Sequence, residues 1–171
     1  MKTMKTSPVG RKLIQGFEGY RSEAYLCPAG VWTIGYGHTK GVKEGDTCTR
    51  EQADIFLQED LKTAEDAVNA QNLELGQLQF DALVSFVYNV GAGAFESSTL
   101  LKKLKTSAAA TSEIEAEWKK WKYANKVELK GLVRRRAAEY ALYKRGFFLL
   151  MLPVLILAAI VTFIIIKNRK K

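Results

Sequence analysis

Two cysteines and one histidine are all that the 171 residues offer to a soft metal ion or a redox centre. Cys27, Cys48 and His38 lack the spacing of a zinc site, so no metal is expected. No cofactor is expected either. Gly35 and Gly37 are not followed by the further glycine of a dinucleotide loop, and no lysine-bearing phosphate loop accompanies them. Two cysteines do not make a disulfide scaffold, and they leave the redox compartment open. No internal repeat runs through the chain. Met1 to Pro8 is basic but leads into no apolar stretch, so no ordinary signal peptide is expected. Acidic residues are outnumbered, giving a net charge of +8, a balance that suits an anionic polymer or surface. The one dense basic cluster, Arg134-Arg135-Arg136, is too short to establish nucleic-acid binding, and no nucleic-acid partner is expected.

Charge is missing altogether from residues 146–166, and from Phe147 to Ile166 only Thr162 breaks the apolar run. Twenty helical residues rise about 30 Å, roughly the hydrocarbon thickness of a bilayer. The sequence therefore predicts a C-terminal transmembrane helix over 146–166 and a basic tail over 167–171. It also predicts a single-pass membrane location with the bilayer as a partner. Basic residues flank the run on both sides, so charge does not choose the topology. Residues 1–145 are then one domain, large enough for a core of its own.

Within that domain, Ser7-Pro8 reads as a helix start, and Val9, Leu13, Ile14 and Phe17 recur at helical spacing. Glu18 follows at the margin of this apolar stripe, where partial desolvation would suit a carboxylate to act as an acid. A solvated helix-terminal glutamate is the plainer reading. Tyr20 to Tyr25 reads as a strand and Cys27-Pro28-Ala29-Gly30 as a turn. From Val31 onward, alternation sets Val31, Thr33 and Gly35 against Trp32, Ile34 and Tyr36. A small antiparallel sheet of two or three strands is expected over residues 20–48.

Thr49 and Gln52 form a capping box ahead of one long helix holding Phe56, Leu61, Ala64 and Val68. Phe80 to Val90 is apolar at most positions, which predicts a helix surrounded by others, with a buried strand as the competing reading. Ser97 or Ser98 caps a short helix. Ser112 with Glu115 forms a further capping box ahead of Ile114, Trp118 and Trp121. Gly131 opens a last helix holding Val133, Ala137 and Ala141. Three successive arginines on a helix point to three sides, so at least one must pair with a carboxylate or cover apolar surface with its stem. The fold class is thus α+β: a small sheet lobe, then a larger helical lobe over about 69–145, then the apolar segment.

The order glutamate, eight residues, aspartate or cysteine, five residues, threonine is met here by Glu18, Cys27 and Thr33. It resembles the signature of the bacteriophage-type lysozymes, the endolysins of glycoside hydrolase family 24. The resemblance extends through Gly16-Phe17-Glu18-Gly19 and Trp32-Thr33-Ile34-Gly35-Tyr36-Gly37-His38-Thr39. It continues in Gln79-Phe80-Asp81-Ala82-Leu83-Val84-Ser85-Phe86, Asn89-Val90-Gly91, Ser98-Thr99-Leu100-Leu101 and Gly131-Leu132-Val133-Arg134-Arg135-Arg136-Ala137-Ala138-Glu139. It spans about residues 10–145 and implies a lysozyme-like fold.

The resemblance also implies a reaction, cleavage of the β-1,4 bond between N-acetylmuramic acid and N-acetylglucosamine in peptidoglycan. Glu18 is the residue of the three suited to protonate the leaving oxygen, and Cys27 and Thr33 would orient a water on the opposite face of the sugar. Gly35, Tyr36, Gly37 and His38 carry over as cleft-supporting positions, His38 as a structural hydrogen-bonder. Cysteine replaces the commoner aspartate, so its state matters: a thiol accepts poorly, whereas a thiolate would assist the water. A Cys27–Cys48 disulfide would remove that side chain and hold the enzyme off until reduced. The expected molecule is a membrane-anchored muramidase with a monomeric catalytic domain. The alternatives on the same fold are a catalytically silent peptidoglycan-binding protein and a membrane-disrupting lysis protein.

Overall fold

The computed structural model describes residues 3–106 and 110–147. Its first helix, α1 (Pro8–Glu18), begins where the sequence places it. Ser7 caps it by accepting from the Val9 and Gly10 amides, with Pro8 at the first helical position. The helix is pinned to the helical lobe at this end. Asp81 accepts from both the amide and the hydroxyl of Ser7, and Gly10 lets the two backbones close up. A methyl group at Gly10 would lie 2.7 Å from Asp81 Cβ. Gly19, at φ 74°, stops the helix with its N–H on the Gln15 carbonyl.

The hairpin that follows pairs β1 (Arg21–Leu26) with β2 (Trp32–Gly35) in antiparallel register, with Arg21 opposite Gly35 and Tyr25 opposite Thr33. Two more residues lie between those pairs on β1 than on β2, so β1 carries a bulge that bends the ribbon. Isolated bridges, Glu23 with Thr47 and Ile34 with His38, close the loop that follows around the hairpin. The sheet lobe is therefore two strands with bridged loops. Its inner wall packs on α2 (Arg50–Asp60), where a methyl group at Gly35 would come within 3.0 Å of Ala53 Cβ.

The Thr49–Gln52 capping box forms as read. The expected long helix does not run through: it breaks at the fully buried Leu61, and α3 (Lys62–Asn69) continues separately. Helix α4 (Gln77–Val90) is the centre of the larger lobe, with every residue from Gln79 to Val87 buried. Its polar members are all engaged, Asp81 at Ser7 and Ser85 at Glu139, which is the condition for burying them. The strand alternative for this segment falls away.

Around α4 stand α5 (Ala92–Glu96), α6 (Thr99–Leu104) and α7 (Thr111–Lys119). Ser98, not Ser97, caps α6. Helix α7 starts two residues earlier than Ser112 implies, with Ala110 at its cap, and Glu113, not Glu115, reaches back to the Ala110 amide. A short exposed hairpin, β3 (Tyr123–Ala124) and β4 (Val127–Glu128), turns through Asn125 and Lys126 at positive φ. Helix α8 then covers 130–147. Phe86, Phe95, Trp118, Tyr140 and Tyr143 form the aromatic core between α4, α5, α7 and α8.

The transmembrane expectation is corrected here. Among the described residues no helix is long and apolar enough to cross a membrane. Gly146, where the span was to begin, is still part of the helical lobe. It is buried, and a methyl group there would sit 2.9 Å from Gln79 Cγ and 3.0 Å from the Gln79 amide. The rest of the expected span and the basic tail, 148–171, lie outside the described residues. The expected bilayer partner and single-pass membrane location thus have no spanning helix to rest on among the described residues.

Candidate active site

Glu18 is the last residue of α1, released toward solvent by the Gly19 turn but not left loose. Arg135, from α8, donates through Nη1 to Glu18 Oε1 at 2.6 Å. The arginine side chain is 5 % exposed and that of Glu18 26 %, so the cation comes from the core and the carboxylate reaches the surface. Arg135 is itself fixed three further ways. Its Nε donates to Glu139 Oε1 at 3.1 Å, its Nη2 donates to the Ser85 carbonyl at 3.2 Å, and its guanidinium lies 5.5 Å over the Phe17 ring. A glutamate held by so constrained a partner keeps one orientation.

Two open cavities meet at Glu18. One, of about 720 Å³, runs along the sheet lobe past Tyr20, Arg21, Tyr25, Gly35 and Gly37. The other, of about 730 Å³, runs along the helical lobe past Phe17, Asn89, Leu132, Arg134 and Arg135. Tyr88, between the lobes, has its phenol pushed up to about 12 by burial first and then by the Glu18 and Asp60 charges, Arg135 opposing. It remains a neutral hydroxyl at any working pH.

Cys27 and Thr33 come together at the far end of the hairpin. The Cys27 amide donates to the Val31 carbonyl at 3.0 Å, and the Thr33 hydroxyl donates to the same carbonyl at 3.0 Å. Hydrogen bonds from the Val31 backbone and then the Ala29 backbone hold the Cys27 thiol below its ordinary pKa. Burial opposes them. No hydrogen bond or ion pair joins Glu18 to Cys27 or Thr33 among the described residues, and neither Cys27 nor Thr33 lines the two cavities that meet at Glu18.

Cys48 is elsewhere. Both thiols are free, and the Cys48 amide donates to the Ser22 carbonyl, at the opposite end of β1 from Cys27. At about 3.3 Å per strand residue the two lie on the order of 15 Å apart, well beyond the roughly 7 Å between α-carbons that a disulfide spans. The expected latch is absent from this structure. Burial pushes the Cys48 thiol up, the reverse of Cys27. At any pH below both values Cys27 therefore holds the larger thiolate fraction. Iodoacetamide at neutral pH is expected to label Cys27 first, with its rate profile midpoint at lower pH than that of Cys48. Peptide mapping that found Cys48 labelled first would reject this.

Of the expected supporting residues, Gly35 and Gly37 line the sheet-side cavity. Tyr36 is buried against Tyr20, ring centroids 5.7 Å apart. His38 is 6 % exposed, stacked on Phe56, with Nδ1 3.0 Å from Asp60 and Nε2 3.0 Å from the Lys40 carbonyl. Both of its nitrogens are occupied, Nδ1 tying the loop to α2 and Nε2 closing the loop on itself. Arg135 and Asn89 were not singled out for the site by sequence reasoning. The triple arginine signalled that one of its members turns inward, but only the tertiary packing names its partner.

An open groove with one held carboxylate at its middle suits a polymer cut by proton transfer to a backbone oxygen, the layout of a lysozyme-type glycoside hydrolase. Comparison with known proteins agrees. Residues 15–139 match the family described as Phage lysozyme. The chain is 44 % identical over 146 residues to the endolysin of Acyrthosiphon pisum secondary endosymbiont phage 1, covering 82 % of this chain and 99 % of that one. It is 42 % identical to the endolysin of Bacillus phage PZA, covering 84 % of this chain but 56 % of the relative. Among solved structures, the muramidase domain of SpmX from Asticaccaulis excentricus superposes with a TM-score of 0.74 at 40 % identity, covering 81 % of this chain and 97 % of that one. The chain belongs to the phage lysozyme family and is a lysozyme, a glycoside hydrolase of the muramidase type.

Proposed function

We propose that the enzyme is an endo-acting N-acetylmuramidase that hydrolyses the β-1,4 bond between N-acetylmuramic acid and N-acetylglucosamine in peptidoglycan. Glu18 is the general acid that protonates the leaving glycosidic oxygen. Cys27 and Thr33 orient the attacking water on the opposite face of the sugar. The observation that carries this reading is the position of Glu18 where the two lengths of groove meet. Arg135 engages its Oε1, and among the described residues no protein group engages Oε2. That oxygen is left to face substrate.

The water needs two acceptors. Thr33 spends its single proton on the Val31 carbonyl, so its oxygen accepts. Cys27, whose thiolate form the Val31 and Ala29 backbone stabilises, accepts the other proton in that form and takes it as the water oxygen bonds to the anomeric carbon. Meanwhile the carbon–oxygen bond to the leaving sugar breaks, and the Glu18 proton passes to that oxygen. Direct attack inverts the anomeric carbon. The full chain, incubated with purified peptidoglycan, is expected to release fragments with N-acetylmuramic acid at the new reducing ends, first in the α configuration. Cys27→Ala is expected to slow this by about 10- to 100-fold and Cys27→Asp to restore much of it. N-acetylglucosamine at the new ends would overturn the bond assignment, and a β product would overturn direct attack by water.

A further inference from the structure

The buried pair beside the site aims a second group at the groove. Asn89 lies in the last turn of α4, is exposed, and lines the helical half of the groove together with Glu18. Its side chain is nonetheless not free to rotate. Arg136, 1 % exposed, donates from Nη2 to Asn89 Oδ1 at 2.9 Å. A guanidinium has donors only, so the contact fixes which way the amide faces: oxygen inward, nitrogen outward. Arg136 is anchored in turn, with Nη2 3.0 Å from Glu139 Oε1, Nε 2.9 Å from Glu139 Oε2, and its plane 4.8 Å over the Phe86 ring.

We propose that Asn89 contacts the substrate, its outward amide nitrogen donating to an N-acetyl carbonyl of the glycan in the helical half of the groove. This rests on the muramidase reading above and extends it. The Nδ2 group has no protein partner among the described residues. The alternative duty, satisfying Arg136, does not account for an amide. Arg136 Nη1 and Nε find no well-aligned hydrogen-bond acceptor, and burial presses on its charge. A carboxylate at position 89 would serve that cation better than an amide does. What an amide adds is the outward donor. The strongest neutral acceptor on a polymer of N-acetylated amino sugars is the acetyl carbonyl, and a neutral donor suits it without bringing charge beside Glu18.

The test uses the full chain carrying Glu18→Gln, titrated with purified glycan strands, with Asn89→Asp and Asn89→Ala added to it. Asn89→Asp keeps the acceptor for Arg136 and removes both N–H donors; Asn89→Ala removes both without adding charge. Each is expected to weaken binding by about 10- to 100-fold, the effect of stranding one buried acceptor, with the thermal midpoint of Asn89→Asp not lowered. De-N-acetylated strands are expected to bind the Asn89-containing protein more weakly and the Asn89→Ala protein no worse than acetylated ones. Unchanged affinity in Asn89→Asp with a loss only in Asn89→Ala would make the residue a support for Arg136, overturning the proposal. A loss only in Asn89→Asp would be a charge effect and would also overturn it. If Glu18→Gln alone still hydrolysed peptidoglycan, the parent reading would fail instead, which separates the two.

Discussion

Glu18→Gln is expected to leave a folded protein whose hydrolysis of peptidoglycan is down by about 100- to 10,000-fold, the span that a positioned general acid contributes. The substitution is close to isosteric, and the amide oxygen can still accept from Arg135. The groove keeps its shape and strand binding survives. What disappears is a proton that can be delivered to the leaving oxygen. Little stability is at stake, because Glu18 is a quarter exposed and the substitution leaves Arg135 an acceptor there. Arg135 also retains Glu139 and the Ser85 carbonyl. Rate assays beside a thermal melt separate the two effects. A variant retaining more than about a tenth of the rate, with an unchanged melt, would remove Glu18 from the proton-transfer step.

Local patterns were the legible part of this chain. The Ser7-Pro8 helix start, the Thr49–Gln52 box, the turn at Cys27 to Gly30 and the apolar density of α4 each depend on neighbours a few residues apart, and each is present. Glu18, Cys27 and Thr33 could be named from their spacing and family resemblance, but not their surroundings. Arg135 lies 117 residues from Glu18 in sequence, and nothing local says which of three arginines turns inward. The redox latch failed for a related reason. Two cysteines flanking one small sheet invite pairing until the backbone shows Cys48 beside Ser22, at the opposite end of β1 from Cys27. The break at Leu61 illustrates the opposite limit, where core packing divides a pattern that periodicity alone extends. The membrane reading rested on composition alone, while Gly146 proves to be packed against Gln79.

Glu139→Gln is expected to cost the fold about 3–5 kcal/mol, the penalty for leaving buried cations without their carboxylate. Glu139 is fully buried and accepts from Ser85 Oγ at 2.9 Å, Trp118 Nε1 at 3.1 Å, Arg135 Nε at 3.1 Å and Arg136 Nη2 at 3.0 Å. A glutamine keeps one acceptor oxygen and turns an NH₂ toward donors that have nothing to offer it. Arg136, 1 % exposed, then has Asn89 and one neutral oxygen in place of a carboxylate, while Arg135 has Glu18 and one carbonyl. Converted at about 2–4 °C per kcal/mol for a domain of this size, the thermal midpoint falls by roughly 6–20 °C. The same carboxylate positions Arg135 for Glu18 and Arg136 for Asn89, so activity measured well below the new midpoint is expected to fall as well. Glu139→Gln melting within about 2 °C of the unaltered protein would show that the arginines find other partners. The two walls of the groove would then not depend on a single buried charge.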